Sequence, residues 1–246
     1  MYNGIFEVIP AIDILGGQCV RLYQGDYQQS KVYDNDPAAI ALQWQEQGSH
    51  RLHIVDLDGA KAGTPVNMKI ISDIVNKVDI PIELGGGIRT LDSVKQYLSL
   101  GVDRVILGSV AIKDPELLTD ILALSNPDQI IVGVDIKDNK PAIHGWLETS
   151  DIDLFSFLQN LTQLGVSRII LTDISKDGAM KGPNIGLMKD VCENINIPVI
   201  ASGGVTNAKD ILRLSGINGV EGCIIGKALY EGTIKLEEVD FMEHRK

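Results

Sequence analysis

Two aspartates half a chain apart, Asp13 in IPAIDILGG and Asp135 in IVGVDIKDN, hold equivalent places in a sequence that repeats itself. Each follows a run of buried-strand character, which sets its carboxyl at the end of a strand. Two carboxyl groups in different surroundings suit a reaction needing both an acid and a base, because one stays ionised while burial keeps the other protonated. Sugar isomerisation is such a reaction. One group protonates the ring oxygen to open the ring, and the other removes the proton on C2. An aspartate at a strand end also serves commonly as a helix cap or turn residue, but a cap does not require the same acid in both halves.

The repeat extends beyond these acids. Asp56 and Asn67 in VDLDGAKAGTPVN return as Asp173 and Asn184 in TDISKDGAMKGPN; Gly86 and Gly87 return as Gly203 and Gly204, and Gly108 as Gly226. Each glycine pair follows a strand run directly and precedes a helical stretch. Backbone N–H groups at such a place approach an anion closely, so Gly86, Gly87, Gly108 and Ser109 form one expected phosphate cradle. Ser202, Gly203, Gly204, Gly226 and Lys227 form the other. Two cradles point to a long bis-phosphorylated small molecule; turn glycines that need positive φ are the competing reading. His53 near a strand end, Thr172 and Asp177 after the sixth strand run, and Trp146, whose ring could stack on a heterocycle, are further substrate candidates. Of the other histidines, His144 also falls near a strand end.

The elements that must position these groups alternate in type. Eight Val/Ile/Leu-rich runs read as strands at 8–14, 51–57, 80–84, 104–108, 130–136, 168–173, 197–201 and 222–226. Amphipathic stretches at 37–47, 91–100, 115–124, 153–164 and 207–215 read as helices between them. Near-continuous apolarity implies strands buried on both faces, as in a parallel sheet covered by helices. With no linker between the halves, the expected fold is α/β: one (β/α)8 barrel domain over 1–246, built from two repeated half-barrels. Strands one and five lie opposite each other in such a barrel, so Asp13 and Asp135 would flank the middle of a ligand held at both ends. Segments 24–31 and 138–141 are expected as rim loops that close over it.

Bulk properties narrow the partners. The 246 residues are 44% hydrophobic and 22% charged, with a formal net charge of −11 and no basic run, which argues against nucleic acid. No apolar run approaches a membrane span of about 20 residues, and the first residues lack a signal-peptide pattern, so a cytoplasmic monomer without membrane association is expected. Cys19, Cys192 and Cys223 are dispersed and read as buried or incidental thiols, and neither a metal site nor a cofactor is expected.

Taken together, IPAIDILGGQCVRLYQGDY, HIVDLDGAKAG, LGGGIR, GVDIKDNKPAIHGWLETS, TDISKDGAMKGPN, ASGGV and IIGKALYEG resemble the phosphoribosylformimino-aminoimidazole carboxamide ribotide isomerase family of histidine biosynthesis, over nearly the whole chain. The resemblance implies a half-barrel-duplicated fold, no metal or organic cofactor, and an Amadori rearrangement of an N-linked aminoaldose to the aminoketose. It implies Asp13 as base, Asp135 as acid, Thr172 as a catalytic residue at the mouth, and the GGGIR and SGGV segments as phosphate loops. Arg21 and Arg89, inside the matched segments, join the substrate-binding candidates. Glu83 stands where a neutral residue often precedes the glycines; it is expected to point into the barrel toward a basic partner. Three alternatives remain: a dual-substrate isomerase that also takes phosphoribosyl anthranilate, the sister cyclase of the same pathway, and a non-catalytic sugar-phosphate-binding barrel. Ala11 stands where a cysteine is expected in the cyclase, and intact Asp13 and Asp135 argue against the non-catalytic barrel.

Overall fold

In a computed structural model, which describes residues 6–138, 140–143, 146 and 148–243, all eight expected strand runs are strands. Among the described residues the strands are β1 (Glu7–Leu15), β2 (Gln18–Tyr23), β3 (Asp26–Asp34), β4 (Leu52–Asp56), β5 (Ile82–Gly85), β6 (Arg104–Leu107), β7 (Ile130–Lys137), β8 (Lys140–Ile143), β9 (Glu148–Thr149), β10 (Ile169–Asp173), β11 (Val199–Ser202) and β12 (Val220–Ile225). The helices are α1 (Pro37–Glu46), α2 (Leu57–Ala62), α3 (Met68–Val75), α4 (Leu91–Leu100), α5 (Val110–Lys113), α6 (Pro115–Leu124), α7 (Leu154–Gln163), α8 (Ile185–Asn194), α9 (Ala208–Ser215), α10 (Lys227–Tyr230) and α11 (Leu236–Glu243).

Strands β1, β4, β5, β6, β7, β10, β11 and β12 pair in that order, each parallel to the next. Pairing of β12 with β1, from Glu7 opposite Gly222 to Pro10 opposite Ile225, closes the (β/α)8 barrel. One antiparallel extension leaves each half at the same place: β2 and β3 extend β1, and β8 and β9 extend β7. Residues 24–31 are therefore not the open loop expected from sequence, but a turn at Gln24 and Gly25 running into β3. The other expected rim loop is the β7–β8 turn, in which Asn139 lies outside the described residues.

Short polar residues start the helices where the chain leaves a strand. Asp36, Asp114, Asp153 and Asn184 each accept a first-turn backbone N–H, Pro37 and Pro115 follow two of these caps, and Thr90 with Ser93 forms a capping box on α4. The apolar core divides into two shells. A larger shell lies between strands and helices, including Ile12, Ile54, Leu84, Leu107, Val132, Leu171 and Val199. A small inner plug of Ile9, Ala11, Ile106, Ile131, Ile170, Ile200 and Ile224 fills the barrel axis. The two-residue period of the strands thus sends alternate side chains to the two shells.

The ends of the barrel differ. At the N-terminal strand ends charges pair: Arg51 contacts Glu7 at 3.2 Å and Asp103 at 2.5 Å, and Arg168 grips Glu221 with two nitrogens. Nothing in the sequence pattern singles out any of these five residues. At the opposite end the strands run out into glycines, aspartates and hydroxyls.

Candidate active site

Three inward positions along β1 read Ile9, Ala11, Asp13, and along β7 Ile131, Gly133, Asp135, so each strand delivers its carboxyl to the rim just above the inner plug. Asp13 and Asp135 line one cavity together with Arg21, His53, Gly86, Gly87, Arg89, Gly108, Ser109, Trp146, Thr172, Asp177 and Ser202. A second, smaller recess holds Ser202, Gly203, Gly204, Gly226 and Lys227, and shares Arg21, Asp177 and Ser202 with the first. The two expected cradles therefore sit at separate ends of one continuous rim, with Arg21 and Asp177 on the wall between them. Each site residue expected from sequence lies in one of these two recesses. His144 and His244 fall outside the described residues.

Burial raises the pKa of both catalytic candidates, and each is held by different neighbours. Asp13 is pushed up chiefly by burial and also by Asp177; Arg21, with Nη1 2.8 Å from its Oδ2, pulls it back down, as would a protonated His53. Arg21 reaches Asp177 as well, at 3.4 Å, so a single guanidinium bridges two carboxylates. Asp135 is likewise pushed up chiefly by burial, and hydrogen bonds accepted from Trp146 and Thr172 work against that. Thr172 is its register partner on the adjacent strand β10 and is itself buried. Of the two acids, Asp13 alone has a cation in contact among the described residues. Burial thus raises both acids while different neighbours oppose it, a guanidinium at Asp13 and two neutral donors at Asp135, so the two carboxyls stand in different surroundings.

Asp56 and Asp173, the other repeated acids, serve structure. Asp56 is fully buried and accepts from the backbone of Gly59, Val66 and Asn67 and from Asn67 Nδ2 at 2.7 Å; Asp173 accepts from Asn184 Nδ2, also at 2.7 Å, and from Ser175. The same latch fixes the loop after the second strand of each half. The glycine pairs pack on those latched loops. A Cβ on Gly86 (φ 106°) would fall 2.2 Å from the Asp56 carbonyl oxygen, and one on Gly204 (φ 88°) 2.5 Å from that of Gly182. Chain packing and positive φ thus require these glycines independently of any phosphate, so the turn-glycine reading is correct as far as the fold is concerned.

Other contacts lie beyond the sequence reading. Trp146 (φ 72°) packs onto the β2–β3 turn so closely that a Cβ on Gly25 would lie 2.1 Å from its ring, which joins an element of one half to the other. Tyr27 on β3 lines the cavity and donates to the Leu57 carbonyl at 3.1 Å. Lys227 Nζ donates to Gly178 O at 2.9 Å, and Arg89 to Ala60 O at 3.3 Å, so both cations stand on the rim with their stems placed. Glu83 does point inward to basic partners, His53 and Arg104. Cys19 and Cys223 are buried, and burial pushes the Cys19 thiol up to about 12, which keeps it protonated and unreactive. Among the described residues no helix is long and apolar enough to cross a membrane.

A closed (β/α)8 barrel with opposed acids and two glycine-lined recesses at the C-terminal strand ends defines a class, the barrel enzymes that act on small phosphorylated molecules. Residues 7–235 match the model of the family described as histidine biosynthesis protein, and the chain belongs to that family. Among its relatives are proteins named 1-(5-phosphoribosyl)-5-((5-phosphoribosylamino)methylideneamino) imidazole-4-carboxamide isomerase. That of Gloeothece citriformis is 53% identical over 94% of this chain and 91% of its own length. Those of Synechocystis and Microcystis aeruginosa are 52% and 50% identical over 94% of this chain, and over 91% and 92% of their own lengths.

Proposed function

We propose that the chain is an aldose–ketose isomerase that carries out an Amadori rearrangement on the bis-phosphorylated substrate named for its relatives, by general acid–base catalysis. The observation that supports this most directly is the pair of carboxylates, Asp13 and Asp135, at the ends of opposite strands β1 and β7 in one cavity whose two ends carry the glycine recesses.

The recess of Gly86, Gly87, Gly108, Ser109 and Arg89 takes one phosphate. The recess of Ser202, Gly203, Gly204, Gly226 and Lys227 takes the other. Anchoring both ends places the aminoaldose ring between the aspartates, and that placement removes much of the entropic barrier. Asp135, protonated, gives its proton to the ring oxygen, which opens the ring and leaves an imine at C1. Asp13, ionised beside Arg21, removes the proton on C2, and the electron pair moves to form the enaminol. Asp13 returns its proton to C1 while the C2 hydroxyl gives up its own proton to Asp135, which yields the aminoketose and restores both carboxyls to their starting states. Hydrogen and electron pairs are redistributed within one molecule, so no external oxidant or reductant enters. Thr172 and Trp146 orient the Asp135 carboxyl through their hydrogen bonds.

The test is direct. Purified protein given the aminoaldose bis-phosphate should form the ketose without added ammonia. Ammonia-dependent ring closure of the ketose, supplied in place of the aminoaldose, would select the cyclase, and turnover of phosphoribosyl anthranilate as well would select the dual-substrate enzyme. Binding without turnover would leave only a sugar-phosphate-binding barrel.

A further inference from the structure

One pair at the cavity floor has no part in the steps above. His53, on β4, lines the cavity with its side chain 12% exposed, and its Nδ1 lies 2.8 Å from Glu83 Oε1 on β5. Glu83 is completely enclosed. Behind it Arg104 stands 3.8 Å from Glu83 Oε2, and the same guanidinium reaches Glu7 at 3.8 Å and Asp103 at 3.7 Å. A chain of alternating charge therefore runs from the ion pairs at the bottom of the barrel to an imidazole at the reaction chamber. Above His53 stand Asp13, Asp135 and Asp177; a protonated ring would lower the pKa of both Asp13 and Asp135.

We propose that Glu83 is a positioning residue: its carboxylate accepts the Nδ1–H of His53, so that the Nε2 lone pair faces a hydroxyl of the open-chain sugar held between the two aspartates. Arg104, 3.8 Å from Glu83 Oε2, sets a positive charge beside it but lies beyond hydrogen-bond distance, so among the described residues the one hydrogen bond of the Glu83 carboxyl is to the His53 ring. A carboxylate has no proton to give, so the ring nitrogen facing it must carry one. In the neutral ring the other nitrogen is then an acceptor. The distances also argue against pairing with Arg104 as the whole role of Glu83, because its close contact, 2.8 Å against 3.8 Å, is with the imidazole that faces the cavity. The part concerning the sugar hydroxyl rests on the isomerase reading; the part concerning the ring proton does not.

Two measurements on the intact protein test this. In the nitrogen-15 spectrum of histidine-labelled enzyme, with the His53 signals identified by their loss in His53→Gln, the wild-type ring should carry its proton on Nδ1, and Glu83→Gln should populate both tautomers. A wild-type ring protonated on Nε2 alone would overturn the proposal, whether or not Glu83→Gln folds. In the kinetic arm, Glu83→Gln should lower kcat by roughly tenfold to a hundredfold, the range typical of a lost orienting partner, with KM within about threefold. In a His53→Gln background the same change should alter kcat by less than about twofold, because the residue through which it acts is gone. An equal loss in both backgrounds, or no loss in the first, would reduce Glu83 to a structural ion-pair member. Should the protein not isomerise the aminoaldose at all, the isomerase reading falls, while the spectrum still decides where the ring proton sits.

Discussion

Replacing Arg21 by methionine removes the cation that touches Asp13 but keeps most of the apolar stem. At the observed 2.8 Å, two unit charges attract by about 6 kcal/mol at an effective dielectric of about 20. Much of that is offset by the desolvation of the guanidinium, and breaking a buried pair from one side costs roughly 3–5 kcal/mol. Both side chains are nearly buried, at 9% and 12% exposure, so solvent screens the pair little. Without Arg21, the larger remaining influences on Asp13, burial and the like charge of Asp177, push its pKa upward. Asp13 must be ionised to take the C2 proton, so the acid limb of the kcat profile should move to higher pH. Each pH unit of displacement lowers kcat about tenfold below the limb. Measured at saturating aminoaldose between about pH 5 and pH 9, the variant should fall more than tenfold behind at about pH 6 and recover much of that deficit on the alkaline side. KM should rise as well, because Arg21 packs on Gly226, where a Cβ would sit 2.3 Å from its Cζ. Adding Asp177→Asn removes that like charge and should bring the limb part of the way back. A limb that stays in place in Arg21→Met, or that the second substitution leaves unmoved, would refute the idea that Arg21 holds the base ionised.

Asp13→Asn should abolish turnover while ligand binding, read by calorimetry, stays within about tenfold, because an amide cannot accept the C2 proton; retained turnover would remove Asp13 from the role of base. Asp135→Asn should be similarly inactive yet more stable at pH 7. Burial raises the Asp135 pKa on folding, so its contribution to stability is present at low pH and fades as pH rises from the ordinary value of 3.8 through the raised one. Thermal unfolding should therefore favour the Asn variant at pH 7, at about 2–4 °C per kcal/mol released, with the advantage gone near about pH 3. The glycines separate fold from binding: nothing lies within 4 Å of a Cβ on Gly108, so Gly108→Ala should keep stability within about 0.5 kcal/mol and raise KM about tenfold. Gly86→Ala, driven into the Asp56 backbone at positive φ, should lose several kcal/mol or fail to fold, and a melting temperature near the wild-type value would contradict that geometry.

The parts of this molecule that sequence made legible are those written in local pattern or in repetition. Apolar runs located all eight barrel strands to within a few residues, and α4 and α6 lie within the same limits as expected, because their capping residues Thr90 and Asp114 mark the starts. Repetition located the opposed acids and the glycine recesses. It also carried Asp56 and Asp173 forward without separating their role from that of Asp13 and Asp135, since a latch and an acid–base pair repeat equally well. Strands β2 and β3 are not legible in the sequence, because a polar stretch such as Asp26–Asp34 has little strand signal and its pairing with β2, itself paired with β1, overrides its propensity. The Arg51–Glu7, Arg51–Asp103 and Arg168–Glu221 pairs beneath the barrel, and the Glu83–His53 contact above them, join residues 30 to 53 positions apart, a distance at which nothing in a single sequence announces a partner.

The twin latches have a consequence for how the machine is divided. Each Asp–Asn bond closes within its own half, Asp56 to Asn67 and Asp173 to Asn184, and each half also brings one anion seat and one carboxyl. Separated, either piece would keep its own latch and, on the isomerase reading proposed above, would hold a single tail of the ligand and own only the donor or only the acceptor of the proton. On that reading turnover belongs to neither fragment. It arises at the seam, where Trp146 of one rests on Gly25 of the other and a guanidinium from the first spans to a carboxylate of the second.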